Sequence, residues 1–267
     1  MEIIVDVLNL VEMYPEVRAI KHAMGSINGE VYSNSREAFL YNYGKGNRLF
    51  EIDLSYTSDG ELVLWHSWTS NRINSSVKKG YVPSLAKFEN MLVFDKYDSL
   101  TYRDLLELMD DYPDVYFVMD TKITNSTEIR KQFTKMVAIA YEMDLSHVLD
   151  RMIIMIYSKD MFKITSSIYP FTQYVLTGYK YFKEKPTTAQ VKAAIEYSAA
   201  NGIDMISMWD YWWKPEYLEM AHSAGLTVQL HTVNSAESAK NYVLQGVDYI
   251  TTDHLSVKII EDEIARS

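Results

Sequence analysis

The chain contains no cysteine. That excludes disulfide staples, thiolate metal sites and a cysteine nucleophile together. Basic residues are outnumbered, with 26 Lys and Arg against 36 Asp and Glu and a net charge of −10. Without a basic footprint, the balance argues against nonspecific nucleic-acid binding. It does not exclude a phosphorylated small molecule, because a bound metal can outweigh the global field locally. Long hydrophobic runs are missing too. Met1 to Val11 is apolar but interrupted by Glu2, Asp6 and Asn9, and Glu12 follows at once. It is too short and too charged for a transmembrane helix, and it lacks the basic start and small-residue cleavage site of a secretory signal. The expectation is a cytoplasmic protein with no stable membrane insertion, a leader or anchor upstream being left open. Internal repeats and low-complexity segments are absent. Asn74-Ser-Ser76 and Asn125-Ser-Thr127 match a glycosylation pattern that arises readily by chance.

What is present suits a large core: 48% of residues are apolar and 13% aromatic. Residues 1–267 fit one α/β domain of barrel size. Short apolar runs alternate with longer amphipathic ones. Strands are expected at Ala19–Lys21, Leu49–Leu54, Val115–Met119, Met152–Ile156, Gln173–Leu176, Met205–Met208, Leu226–Leu230 and Tyr249–Thr251. Helices fall between them, and a last one runs from about Ser256 to Ala265. Thr101 with Asp104, and Ser235 with Glu237 and Ser238, supply helix-start acceptors; Gly202 and Gly225 mark stops. This alternation predicts a (β/α)8 TIM barrel, with a doubly wound open sheet as the competing architecture. Asp59-Gly60 reads as a hairpin turn returning through Val63–Trp65. The polar segment 67–100 breaks the rhythm and is expected as a short insertion after the second strand, above the barrel and near its site.

Glu51 and Asp53 lie two apart on the second expected strand, so both point to one face while Phe50, Ile52 and Leu54 take the other. Two carboxylates on an interior face are costly without a positive partner, for which a divalent cation is the simplest candidate. His22 and His66 flank them in sequence and suit proton transfer beside such an ion.

The order His22, Asn34-Ser35, Glu51-Ile-Asp53, Thr57-Ser-Asp59-Gly60 and His66 resembles the opening of the glycerophosphodiester phosphodiesterase family. Asp120-Thr-Lys122, Thr232-Val-Asn234 and Gly246-Val-Asp248 through Asp253 resemble its later strands. The resemblance spans roughly residues 19 to 255. It implies that Glu51, Asp53 and Asp120 hold one Mg²⁺ or Ca²⁺, and that Lys122 helps neutralise the phosphodiester. It also implies that His22 and His66 are acid and base, in an order the sequence does not give. Three positions depart from the pattern. Ala23 follows His22 where an arginine is usual, Asp120 replaces a glutamate, and His231 stands where tryptophan is common. Arg18 or Lys21 are candidates to replace the arginine.

The cluster Trp209, Tyr211, Trp212 and Trp213 is expected to form an aromatic wall for a sugar or glycerol moiety, with Trp209 and Trp212 as contacts and His231 lining the pocket. His147, His222 and His254 are expected at the surface. The expected function is a metal-dependent phosphodiesterase acting on a small glycerol- or sugar-linked phosphodiester. A phospholipase-type barrel using intramolecular hydroxyl attack and a non-catalytic phosphoglycan-binding barrel are the alternatives. Oligomeric state is not legible.

Overall fold

Strand β1 (Ala19–Lys21) pairs on one side with β2 (Leu49–Tyr56) and on the other with β11 (Tyr249–Thr252), so the parallel sheet closes on itself. The computed structural model describes residues 19–69 and 78–266. Arg18, the Met1–Val11 stretch, the Asn74 sequon and part of the expected insertion lie outside the described residues. Between β2 and β11 the ring runs through β6 (Tyr116–Asp120), β7 (Met152–Ile156), β8 (Gln173–Thr177), β9 (Met205–Trp209) and β10 (Thr227–His231). All neighbours in this ring are parallel. The architecture is the (β/α)8 TIM barrel expected from the sequence.

The strands read as near-continuous apolar runs because both of their faces are covered. Met152 to Ile156 is buried throughout. On β2 the alternation separates functions: Phe50 packs outward against Phe39 and Phe117, while Glu51 and Asp53 face inward among buried residues. Register then brings the charges together, since Asp53 pairs with Asp120 across the β2–β6 ladder.

The helices begin where the sequence supplies acceptors. Ser35 caps α1 (Arg36–Gly44) by accepting from the Ala38 amide at 3.3 Å. A short helix in the insertion, α2 (Leu85–Phe88), precedes α3 (Tyr102–Asp111), which opens with a reciprocal Thr101–Asp104 box. The outer layer continues with α4 (Ser126–Glu142), α5 (Lys159–Ile168), α6 (Gly178–Tyr181), α7 (Thr188–Asn201), α8 (Pro215–Ser223), α9 (Ala236–Leu244) and α10 (Val257–Ala265). Gly202 ends α7 with a φ of +70°, a region where a side chain would be strained. Observed boundaries shift from the expected ones by a residue or two, the usual fraying of element ends. No described helix is long and apolar enough to cross a membrane.

The return strand after Gly60 is β3 (Leu62–Leu64), antiparallel to β2. Beyond α2 the described insertion forms a small hairpin of β4 (Leu92–Val93) and β5 (Tyr97–Asp98). It packs Phe88 edge-on against Trp65 and Trp68, each at 6.1 Å. It is tied to the loop after β1 by Lys96 on Glu30 at 2.7 Å.

Candidate active site

One oxygen from each of Glu51, Asp53 and Asp120 lies within 4.8 Å of the others, and all three residues are buried. Such crowding demands compensation. Lys122, two residues past the end of β6, puts its ammonium 2.6 Å from Asp53 Oδ1 and against Asp120 Oδ2. Its backbone is left-handed at φ +60°, which folds the chain back over the strand end. Asp120 also accepts from the Tyr157 hydroxyl. Asn34 holds Asp53 from two directions, its amide donating to Oδ2 at 2.9 Å and its carbonyl accepting the Asp53 N–H at 3.1 Å. Ala23 is also left-handed at φ +46°, and its amide thereby donates to Glu51 Oε2 at 2.7 Å.

These partners do not balance the site. Glu51 Oε1 is buried and has no donor. Burial, then the neighbouring Asp53 charge, raise the Glu51 carboxyl above its ordinary range against the pull of His22 and Lys122. Burial also works to raise Asp53, but Lys122, His66 and His22 outweigh it and the carboxyl is held low. Asp120 follows the same logic, with Lys122 and Lys180 prevailing over burial. Three carboxylates with one internal cation and one orphaned oxygen fit a hard divalent ion, which takes oxygen ligands.

The two histidines differ in how they are held. His22 Nδ1 meets Asp253 Oδ1 at 2.7 Å, and its Nε2 lies 3.9 Å from Glu51. Asp253 is fixed in turn by Asn234, which donates to Oδ2 at 2.7 Å and accepts the Asp253 N–H at 2.8 Å. Burial works to lower the His22 pKa, but Glu51, the Asp253 hydrogen bond and Asp53 together push it up to about 9. Burial lowers that of His66 by more than Asp53 restores. Its Nδ1 is buried without a partner. Tyr32 stands between the two, with ring centroids 4.8 Å from each imidazole in edge-on geometry.

A cavity of about 360 Å³ opens here, lined by both histidines, Glu51, Asp120, Lys122, Tyr32, Met155, Tyr179, Trp209, Gln229, His231, Thr232 and Thr251. His231 is kept neutral by burial, its pKa lowered to about 3. A larger groove of about 520 Å³ lies by the insertion, lined by Arg36, Glu89, Asp98 and Asp104 among others. It is open and of mixed charge, and no set of chemical groups converges in it.

The structure therefore brings together His22, His66, Glu51, Asp53, Asp120, Lys122, His231 and Trp209. The aromatic cluster divides. Trp209 stacks on Tyr179 at 5.4 Å and on Tyr211 at 5.1 Å. Trp212, expected in the wall, is buried and meets Trp209 edge-on at 4.7 Å, so it supports the wall from behind. Lys21 does not replace the missing arginine. It is fully buried and its ammonium donates to the Leu255 carbonyl at 2.9 Å. The described part of the insertion lends no residue to the cavity. His147 and His222 pair with Asp110 and Asp248 at the exposed surface, and His254 is exposed.

Several contributors escape a reading by sequence alone. Asp253 and Asn234 sit in the closing motif, yet their bearing on His22 needs the barrel to close. Tyr157, Tyr179 and Tyr32 carry no local signal among 21 tyrosines.

The sequence model of the Glycerophosphoryl diester phosphodiesterase family matches residues 23–257. No curated protein matches the chain. Among solved structures, the chain is similar to a glycerophosphodiester phosphodiesterase from Parabacteroides distasonis, with 15% identity, a TM-score of 0.73, and coverage of 94% of this chain and 98% of that one. It is similar to a phosphodiesterase from Oleispira antarctica in complex with the product sn-glycerol-3-phosphate, with 15% identity, a TM-score of 0.71, and coverage of 93% and 96%. A glycerophosphodiester phosphodiesterase from Thermotoga maritima matches at 16% identity with a TM-score of 0.65, covering 92% and 97%. At such identities these structures speak for the fold.

Proposed function

Because the chain belongs to the glycerophosphoryl diester phosphodiesterase family, a family of phosphoric diester hydrolases, we propose that it hydrolyses a small phosphodiester bearing a glycerol or sugar group. The observation that carries this reading is the buried Glu51, Asp53 and Asp120 cluster with its orphaned Glu51 oxygen, flanked by two imidazoles. Those three residues would hold one divalent cation, Mg²⁺ or Ca²⁺. When bound, it would supply positive charge to the phosphoryl oxygens.

The chain's own residues carry the proton traffic. Asp253 pins Nδ1 of His22, so Nε2 faces the cavity and the paired carboxylate favours the imidazolium. That arrangement suits His22 to give a proton to the leaving alkoxide. His66, with no carboxylate on its ring, suits uptake of the proton from the attacking water. Lys122 offsets charge that develops on the phosphoryl group once a cation shares its carboxylates. Tyr179, Trp209 and His231 form one side of the cavity and give the C–H face of a polyol an aromatic surface to rest on.

The test is direct. The purified protein, assayed with a panel of glycerophosphodiesters, should release a phosphomonoester in the presence of Mg²⁺ or Ca²⁺ and none after chelation. Undiminished release after exhaustive chelation would remove the metal from the account. Cleavage confined to lipids in vesicles would remove the small soluble substrate, and a cyclic phosphate product would mark attack by a substrate hydroxyl instead of water.

A further inference from the structure

The cavity needs to hold an anion, yet its permanent cation is already engaged. Lys122 spans Asp53 and Asp120. Ala23, next to His22, is wholly buried and does not line the cavity. Among the described residues, a positive charge that is in no ion pair and that Asp120 and Asp53 feel comes from the short helix α6. Lys180 directly follows Tyr179, whose ring forms part of the wall. Its ammonium lies 4.0 Å from the centroid of the Tyr157 ring and 5.8 Å from that of Tyr179. The Tyr157 hydroxyl, at the far end of the same ring, donates to Asp120. One phenol thus links Lys180 to the carboxylate cluster.

The contacts of Lys180 among the described residues are with these aromatic faces rather than with a carboxylate. It is half-buried. Burial pulls its pKa down, and only the more distant charges of Asp120 and Asp53 pull it back. Ring faces attract an ammonium by about 0.5–2 kcal/mol, less than an anion at contact provides. A desolvated ammonium without a counter-ion is incompletely compensated, and an arriving anion gains from it. Lys180 does not itself line the cavity, but its neighbour Tyr179 does, and no ion pair among the described residues holds its ammonium on the Tyr157 ring.

We propose that Lys180 is a substrate-binding residue that contacts an anionic phosphate oxygen. This rests on the phosphodiesterase reading above. In its working cycle the ammonium exchanges the Tyr157 face for the phosphate and returns when product leaves.

The test compares the wild type with Lys180→Met and Lys180→Arg, all loaded with the same divalent cation. The probe is sn-glycerol 3-phosphate, followed by calorimetry, with turnover of a glycerophosphodiester measured alongside. Loss of one charge-assisted contact should weaken binding of the probe about tenfold in Lys180→Met and raise KM in step, with kcat within about threefold of wild type. Lys180→Arg should retain most of the binding. Wild-type affinity and KM in Lys180→Met would overturn the proposal, as would equal losses in both variants. A wild-type protein that neither binds the probe nor cleaves any phosphodiester would bring down the phosphodiesterase reading instead, and this inference with it.

Discussion

His22 and His66 have the same side chain and different surroundings. The first has Asp253 on one nitrogen, and the second has a buried nitrogen with no partner. In the proposed mechanism, environment rather than residue type separates donor from acceptor. Replacing either histidine with alanine should lower kcat by about 10²–10⁴-fold, the ordinary scale for a lost general acid or base. Calorimetric metal affinity should change little, since neither ring belongs to the carboxylate set. A variant with wild-type turnover on a poor alkoxide leaving group would remove that residue from the proton path. At this scale the sequence shows the residues that repeat at short spacing. Glu51 and Asp53 are legible because a strand has a period of two. Asp253 is not, because its partner lies 231 residues away and only closure of the ring makes them neighbours. Trp212 misleads for a related reason: a run of aromatics does not reveal which ring faces the cavity and which packs behind it.

The elements owe their legibility to chemistry at their ends. Ser35, Thr101, Asn125, Ser158, Thr187, Ser235 and Ser256 each cap a helix through a side-chain oxygen, and Thr101 and Ser235 are the starts read directly from the sequence. The short pieces are harder. The 3-10 turn His22–Met24 and helix α6 are set by tertiary contacts, with left-handed residues such as Ala23 that no propensity favours. Strand β1 ends on a buried Lys21, directly before the turn that carries His22. Burial, then Lys45, lower the Lys21 pKa to about 8 against a weaker pull from Asp253. A folded-state value below the unfolded one means that the native protein binds fewer protons between the two. Below pH 8 the charged amine is fully penalised, and the penalty is relieved as pH rises toward the unfolded value. Wild type should therefore gain about 2–3 kcal/mol on Lys21→Met between pH 7 and pH 10. Denaturant unfolding of the two proteins at both pH values measures this; a difference that does not change with pH would contradict the assigned burial.

At the scale of the molecule, strand order and helix spacing specify the barrel, and the barrel specifies the site. Closure through β1 places His22 beside Asp253, and the β2–β6 register places Asp53 beside Asp120. The insertion shows the limit of pattern reading. Its position in the chain is legible, but its described part packs Phe88 on Trp65 and ties Lys96 to Glu30 in the loop after β1 without lining the cavity. An acidic chain that concentrates three buried carboxylates at one end of its barrel leaves a charge deficit that Lys122 only partly fills. That deficit is the central claim, and a metal titration tests it most directly. Mg²⁺ or Ca²⁺ should be added to chelated wild-type and Glu51→Gln protein in a calorimeter. The account predicts one ion bound per wild-type chain and an affinity lower by about tenfold or more in the variant, because a metal bond and a unit of charge are removed together. Equal binding by the two proteins, or no binding by either, would contradict it.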